Sequence, residues 1–329
     1  MPYHRYLTLN HISALGLTLT RQCNLGCIYC CFPDRKNPPD KLTLSEIKSV
    51  ILQAREAGAR RIVIPGEGEP FLDENIFSVI GFSVGLGMKV RIFTNGLLID
   101  HSVARDLLRS GVFLTVKLHA LDATTYDRLA GKKNAAEWEC CSHMPQGLEG
   151  MKIPKGLCCL LEAGYMGSRR FPWEESPLQI ESVITRHNIG HLLDIARCCK
   201  KWGTDFRVET LIRAGKVTNE FSKLSVDQMI QDALFKKLRQ ILGWRFVLMQ
   251  KIRCTFETNP FLDISGNIRH CFGLPAEIGN IRDAPLLELH RREINLRIKQ
   301  GLISLPFSFG NNGFRYCATR KFLDAFGNS

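Results

Sequence analysis

The stretch Arg21-Gln-Cys-Asn-Leu-Gly-Cys-Ile-Tyr-Cys-Cys31 is the part of this 329-residue chain around which the rest is organised. Cys23, Cys27 and Cys30 form a C-x3-C-x2-C triplet directly after a strand-like run at residues 15–20. Three thiolates on one short loop can converge on one metal centre. A structural zinc site typically needs two close pairs of ligands, and no histidine lies near this triplet. An iron-sulfur centre is therefore favoured over zinc or buried free thiols, and we interpret Cys31 as a bystander.

Outward from the triplet, short β-branched runs alternate with helical segments. The predicted strands are residues 14–20, 61–65, 89–93, 113–118, 178–185 and 205–212. One predicted helix opens on a Thr43-Leu-Ser-Glu46 capping box, and another covers residues 155–163 inside a long crossover. Such alternation is typical of a parallel sheet with crossover helices. We therefore predict an α/β fold in which six strands form a partial, open (β/α)6 barrel of the TIM type.

Three polar motifs follow or close predicted strands. Gly66-Glu-Gly-Glu-Pro70 follows the second strand, Thr94-Asn-Gly96 the third, and Lys117-Leu-His119 lies at the end of the fourth. Ligands of parallel sheets bind beyond the carboxyl ends of the strands. Glycines let the backbone approach a ligand, and a carboxylate can receive an ammonium group. Each motif alone is also found in ordinary turns or at the surface. The prediction that these residues bind a ligand therefore rests on the position of each motif at the end of a strand.

Together, the triplet and these motifs resemble the radical S-adenosylmethionine (SAM) superfamily. The aromatic Tyr29 before the last cysteine of the triplet also fits that family. The resemblance implies a 4Fe-4S cluster on Cys23, Cys27 and Cys30, whose open iron binds the amino and carboxylate groups of SAM. An injected electron then splits SAM into methionine and a 5'-deoxyadenosyl radical, so the hard chemistry belongs to the cofactor. The implied partner is a reductant such as flavodoxin or ferredoxin.

The same resemblance assigns further SAM contacts to strand ends. The candidates are Gly68, Glu69, Thr94, Asn95, Lys117, Glu209 and Arg213. The first two match the glycine-glutamate motif that holds the methionyl amine, although Glu67 stands where that motif often has a glycine. The next two match an element near the adenosyl group. Lys117 is placed to reach SAM or substrate, and the last two are candidates for the ribose and adenine contacts.

The last third of the chain carries three more candidate metal ligands, Cys254, Cys271 and Cys317. A predicted hairpin with its turn at Ser265-Gly266 separates the first two. This pattern resembles the SPASM and twitch extensions of the superfamily, which hold auxiliary 4Fe-4S clusters. Three cysteines suit one such cluster, and its fourth ligand stays open. We predict a radical SAM barrel at residues 1–220 and a small α+β, twitch-like domain at residues 221–329.

Composition bounds the setting of this chemistry. Hydrophobic residues make up 45% of the chain and charged residues 23%, as in ordinary globular proteins. No signal pattern precedes the first strand and no apolar run is long enough to cross a bilayer, so we expect a cytoplasmic protein. Thirteen cysteines then favour metal or redox roles over disulfides. The net charge of +12 would suit an acidic or phosphorylated substrate, and no signature supports nucleic-acid binding.

The expected reaction is abstraction of a hydrogen atom from a substrate C–H bond, leading to oxidation (dehydrogenation), epimerisation or rearrangement. The paired cysteines at residues 140–141, 158–159 and 198–199 are candidate thiol hydrogen donors. The substrate we favour is a small molecule such as a sugar or aminocyclitol in natural-product tailoring. Peptide modification is the second choice, and a molybdopterin-type GTP cyclase is disfavoured because the tail lacks a close C-x2-C pair. A non-enzymatic iron-sulfur or zinc-binding interaction protein is the alternative from another class.

Overall fold

A computed structural model of the protein describes residues 10–32, 36–167, 176–213, 215–248, 259–269 and 277–299. In chain order the strands are β1 (Ala14–Leu17), β2 (Arg61–Ile64), β3 (Lys89–Thr94), β4 (Phe113–Lys117), β5 (Trp138–Cys140), β6 (Lys152–Pro154), β7 (Leu178–Ile184), β8 (Asp205–Thr210), β9 (Phe246–Leu248), β10 (Phe261–Leu262), β11 (Asn267–Arg269) and β12 (Glu277–Asn280). The α-helices are α1 (Leu44–Glu56), α2 (Ile76–Gly85), α3 (His101–Arg109), α4 (Ala123–Ala130), α5 (Lys155–Ala163), α6 (Leu192–Trp202), α7 (Val217–Leu224), α8 (Gln228–Leu242) and α9 (Leu286–Lys299). Short 3-10 helices lie at Pro70–Leu72, Ile189–His191 and Gly243–Arg245.

The chain divides into two compact units. Of the described residues, the first unit comprises 10–22, 36–91, 259–269 and 277–299, and the second comprises 23–32, 92–167, 176–213 and 215–248. Strand β3 contributes residues to both. The predicted domain boundary between residues 220 and 221 stays a prediction.

In the first unit, β1 pairs in parallel with β2 on one side and with β10 on the other. Strand β10 continues into an antiparallel hairpin with β11, which in turn pairs with β12. Helix α1 begins where the sequence predicts, because Thr43 and Glu46 form a reciprocal capping box, and it buries an apolar face led by Ile47 and Ile51. The hairpin β10–β11 therefore lies beside the strand that leads to the cysteine triplet.

In the second unit, β4, β7, β8 and β9 pair in parallel in that order. The register aligns Lys117 with Glu181 and Glu181 with Arg207, so polar side chains on neighbouring strands occur in rows. Helices α5 and α6 bury apolar faces that include adjacent pairs of cysteines. A separate antiparallel pair, β5 with β6, precedes α5.

The predicted α/β class with parallel strands and crossover helices is confirmed. Helix α5 has the predicted bounds. A 3-10 turn at Pro70–Leu72 precedes α2. Helix α8 begins at Gln228, because the Asp227 carboxylate caps it, and α7 precedes it. No helix among the described residues is long and apolar enough to cross a membrane.

Candidate functional site

The cysteine triplet lies in the second unit, on a loop without regular secondary structure. The side chains of Cys23, Cys27 and Cys30 are all half-buried. The Cys30 amide donates to the carbonyl of Cys27 at 3.2 Å, which closes a turn between the last two cysteines. The loop therefore presents three soft sulfur donors within one short segment, as an iron-sulfur cluster requires.

The carboxyl end of α4 holds the cysteine loop in place. The Gly26 amide donates to the carbonyl of Ala130 at 2.9 Å, and the Ile28 amide donates to that of Leu129 at 3.0 Å. Gly131, which ends the helix at φ 63°, packs so closely that a Cβ there would lie 2.4 Å from the Gly26 carbonyl oxygen. The sequence Leu129-Ala-Gly131 is thus adapted to backbone contact with the loop between the first two cysteines.

Asn95, predicted near the adenosyl group, also belongs to this neighbourhood. Its side-chain amide donates to the Asn24 side-chain oxygen at 2.7 Å, and its own oxygen accepts from the Leu97 amide at 2.9 Å. The neighbouring Thr94 is buried, and its hydroxyl oxygen accepts from the Gly96 amide at 2.9 Å. The structure therefore brings Asn95 to the cysteine loop, whereas Thr94 shapes the turn that carries it.

His119 makes a contact with the cysteine loop that the sequence does not reveal. Its ring stands edge-on to Tyr29, with 4.5 Å between ring centroids. His119 is 4% exposed, and its Nδ1 accepts from the Val183 amide at 3.2 Å, so the proton of the neutral ring lies on Nε2. Burial, with help from Lys117, lowers the pKa of His119 to about 3. The imidazole therefore stays neutral at physiological pH, and among the described residues Nε2 has no hydrogen-bond partner.

Lys117 and Glu209 belong to a charged array across β4, β7 and β8. Glu181, fully buried on β7, pairs with Lys117 through one oxygen and with Arg207 Nε through the other, at 2.9 Å. Arg207 Nη2 also pairs with Glu209 at 3.1 Å, and its guanidinium lies 5.1 Å above the Phe93 ring centroid. Burial raises the pKa of Glu209, but Lys117 and Arg207 outweigh it and hold that pKa below its ordinary value. Within this array the positive charges of Lys117 and Arg207 are balanced by the two carboxylates.

Gly68 and Glu69 lie in the first unit, against the end of the segment that follows β1. A Cβ at Gly68 would lie 2.3 Å from the Gln22 carbonyl oxygen, so only glycine permits this approach. The Glu69 amide donates to that same carbonyl at 2.7 Å, and its carboxylate accepts from the Phe71 amide at 3.2 Å. Glu69 is buried, and its carboxylate caps the 3-10 turn at Pro70–Leu72. The glycine-glutamate motif is thus a rigid loop built on the residue before Cys23.

The remaining predicted residues are less informative. Arg213 is exposed just after β8. Cys254, Cys271 and Cys317 lie outside the described residues. Within the described ranges no group of three or more His, Cys, Asp or Glu side chains is gathered tightly enough for a single metal ion. An iron-sulfur cube is larger than one ion, so the half-buried loop thiols remain suited to it.

Sequence reasoning missed Glu181 and Arg207, and it did not show that His119 is buried against Tyr29. The signal for the two charged residues is polar residues at alternate positions, Gln179 and Glu181 on β7 and Asp205, Arg207 and Glu209 on β8. Side chains two residues apart share one face of a strand. A period-two search for charged residues along these strands would have found Glu181 and Arg207.

Comparison with known proteins supports the superfamily resemblance. Residues 17–143 match the model of the radical SAM superfamily. The chain is 29% identical over 209 residues to a GTP 3',8-cyclase of Parasynechococcus marenigrum (strain WH8102), covering 60% of this chain and 56% of the relative. It is 22% identical over 309 residues to an AdoMet-dependent heme synthase of Oleidesulfovibrio alaskensis, covering 83% of this chain and 73% of the relative. The chain therefore spans just over half the length of the cyclase.

A solved structure shares the fold. Streptococcus suis SuiB bound to precursor peptide SuiA superposes with a TM-score of 0.63 at 16% identity, covering 93% of this chain and 67% of that one. The matched segment 17–143 contains the cysteine triplet, the Gly68-Glu69 loop, Asn95 and Lys117. Residues 17–143 of this chain therefore match the radical SAM superfamily, whose members use a 4Fe-4S cluster and SAM.

Proposed function

We propose that this radical SAM enzyme cleaves SAM reductively at a cluster on Cys23, Cys27 and Cys30 and abstracts a hydrogen atom from a substrate C–H bond. The observation that carries the proposal is the loop itself. It presents three half-buried thiols and is held by backbone hydrogen bonds to the end of α4. When bound, the cluster and SAM supply a reactive primary radical, and the protein positions the reactants.

The roles proposed for the other residues follow from their placement. The buried carboxylate of Glu69 and the backbone at Gly68 would receive the methionyl ammonium group of SAM. Asn95, already anchored to Asn24, would orient the adenosyl part. Lys117 and Glu209, at the partly exposed end of the charged array, would contact the ribose or the substrate. Arg213 would complete the adenine contacts.

For the substrate, we propose a small polar molecule such as a sugar or aminocyclitol, undergoing oxidation or epimerisation. The charged array offers donors and acceptors side by side but no uncompensated cation, because Glu181 and Glu209 neutralise Lys117 and Arg207. Such a surface suits hydroxyl and amino groups better than a phosphate. We therefore favour a neutral polar substrate over the acidic or phosphorylated substrate that the net charge alone suggests.

We further propose that Cys254, Cys271 and Cys317 ligate an auxiliary 4Fe-4S cluster in a twitch-like domain. Such a cluster would accept the electron that an oxidation releases. A flavodoxin or ferredoxin would deliver the electron that starts the reaction. Peptide modification remains the second candidate, with the fold shared with SuiB as its support.

The test is SAM turnover by anaerobically reconstituted, dithionite-reduced protein, with 5'-deoxyadenosine measured by mass spectrometry. The wild type is expected to form it, and Cys27→Ala is expected to form none above background. Cys158→Ala, a buried thiol on α5, is the matched control and should retain turnover. Turnover by Cys27→Ala would overturn the proposed role of the cysteine loop. No turnover by the wild type would overturn the proposed activity and favour a non-enzymatic iron-sulfur protein.

Substrate class is tested in the same assay with deuterated candidates. Transfer of deuterium from a sugar or aminocyclitol into 5'-deoxyadenosine would support the small-molecule assignment. Transfer only from a peptide would replace it with peptide modification.

A further inference from the structure

Glu67 is a buried carboxylate at the position where the family motif often has a glycine. It is 4% exposed and directly precedes the Gly68-Glu69 loop. Its Oε2 lies 3.7 Å from Arg21 Nε, and its Oε1 has no hydrogen-bond partner among the described residues. A carboxylate buried at this depth is costly unless nearby cations compensate it. A glycine at this position would have no side chain to pair with Arg21.

The second compensating cation comes from the hairpin β10–β11. Arg269 on β11 and Arg21 are the two cations that oppose the effect of burial on the pKa of Glu67. Asp263 fixes Arg269, because its Oδ2 lies 2.5 Å from Arg269 Nη2. Asp263 is itself fully buried and accepts from the amides of Ser265 and Asn267, both at 2.9 Å. The turn of the hairpin thus holds Arg269 in place.

Backbone contacts connect the surroundings of Glu67 to the Gly68-Glu69 loop. Gly68 packs on the Gln22 carbonyl, and the Glu69 amide donates to it at 2.7 Å. Arg21, the ion-pair partner of Glu67, is the residue just before Gln22. The ion pair between Arg21 and Glu67 and the contact of the Gln22 carbonyl with the loop therefore join the same two segments, residues 21–22 and 67–69.

We propose that Glu67, compensated by Arg21 and Arg269, is a positioning residue that sets the Gly68-Glu69 loop for SAM, so that the hairpin β10–β11 contributes to SAM affinity. This inference rests on the proposed function, because it takes that loop as the site for the methionyl amine. Glu67 acts through the loop and not by touching the reacting atoms. The charged groups facing it are Arg21 after β1, Arg269 on β11 and Asp263 after β10.

The proposal predicts a pH dependence. Burial raises the pKa of Glu67 to about 7, against the opposing effects of Arg269 and Arg21. Below that pH Glu67 is protonated and its attraction to both arginines weakens, whereas above it the carboxylate pairs with them. SAM affinity is therefore expected to gain from Glu67 as the pH rises from 6 to 8.

The experiment measures SAM dissociation constants by equilibrium dialysis on reconstituted, unreduced holoenzyme between pH 6 and 8. Glu67→Gln keeps the shape but cannot ionise, and it should bind SAM about five- to tenfold more weakly than the wild type at pH 8 and nearly equally at pH 6. The ratio of the two constants at each pH cancels any titration of SAM itself. Glu74→Gln, an exposed carboxylate in the same unit, is the matched control and should give a ratio near one.

Variants at Arg269 test whether Glu67 positions the Gly68-Glu69 loop through its charge or only packs against its surroundings. Arg269→Met should weaken SAM binding at pH 8 as Glu67→Gln does, and Arg269→Lys, which keeps the charge, should restore part of the loss. Equal affinity of Glu67→Gln and wild type at every pH, with iron content unchanged, would overturn this inference and leave the proposed function standing. Failure of the wild type itself to bind SAM would overturn the proposed function instead.

Discussion

Cysteines on the loop at residues 23–31 and cysteines on α5 and α6 share one chain but lie in different surroundings. The loop thiols are half-buried, and the loop holds its shape through backbone bonds to α4. The helix thiols, Cys158, Cys159, Cys198 and Cys199, are fully buried in apolar helix faces. Burial raises the pKa of all four, for Cys198 to about 12.

This difference shows why cysteine count alone does not locate chemistry. A thiol kept protonated inside a helix face packs as a small apolar side chain, whereas a metal ligand must be deprotonated and reachable. The paired cysteines on α5 and α6 therefore pack as part of the hydrophobic core. Their burial does not suit the hydrogen-donor role that their abundance in the sequence suggests.

The largest expected contrast is in chemical reactivity. In the metal-free protein at pH 8, iodoacetamide should alkylate Cys198 at least about a hundredfold more slowly than Cys30, because a pKa near 12 leaves little thiolate and the core excludes the reagent. Site-resolved mass spectrometry over time measures both rates. In guanidinium chloride the two rates should converge, and similar rates in the folded protein would remove the distinction.

A smaller contrast is expected in stability. Cys198→Ala should lower the free energy of unfolding of the metal-free protein by about 1–2 kcal/mol, because it leaves a cavity in the face of α6. Cys27→Ala should change that free energy by less than about 1 kcal/mol, since its side chain is only half-buried. Urea denaturation followed by circular dichroism compares them, and a larger loss in Cys27→Ala would reverse the assignment of structural and functional thiols.

Local sequence was enough for much of the fold. The β-branched runs predict most strands of the parallel sheets, and the capping box places the start of α1. The pair β5–β6 escaped because its three-residue strands, such as Trp138–Cys140, are too short to show a period. The parallel pairing of β10 with β1 escaped because it joins segments far apart in sequence.

The site was predictable to the extent that its residues lie in consecutive motifs. The cysteine triplet, Gly68-Glu69 and Asn95 are such motifs, and the superfamily resemblance is confirmed. The ion pair of Glu67 with Arg21, and the tautomer of His119, depend on residues that are far apart in the sequence. No local pattern encodes such contacts, so they emerge only from the folded chain.

The most direct test of the central claim is the iron content and Mössbauer spectrum of the reconstituted wild type and of a Cys23→Ala, Cys27→Ala, Cys30→Ala variant, each with and without SAM. The triple variant is expected to lose about four iron atoms per chain and every SAM-dependent spectral change. Cys198→Ala should keep both. Equal iron content in the wild type and the triple variant, with the same response to SAM, would contradict the claim that this loop holds the SAM-binding cluster.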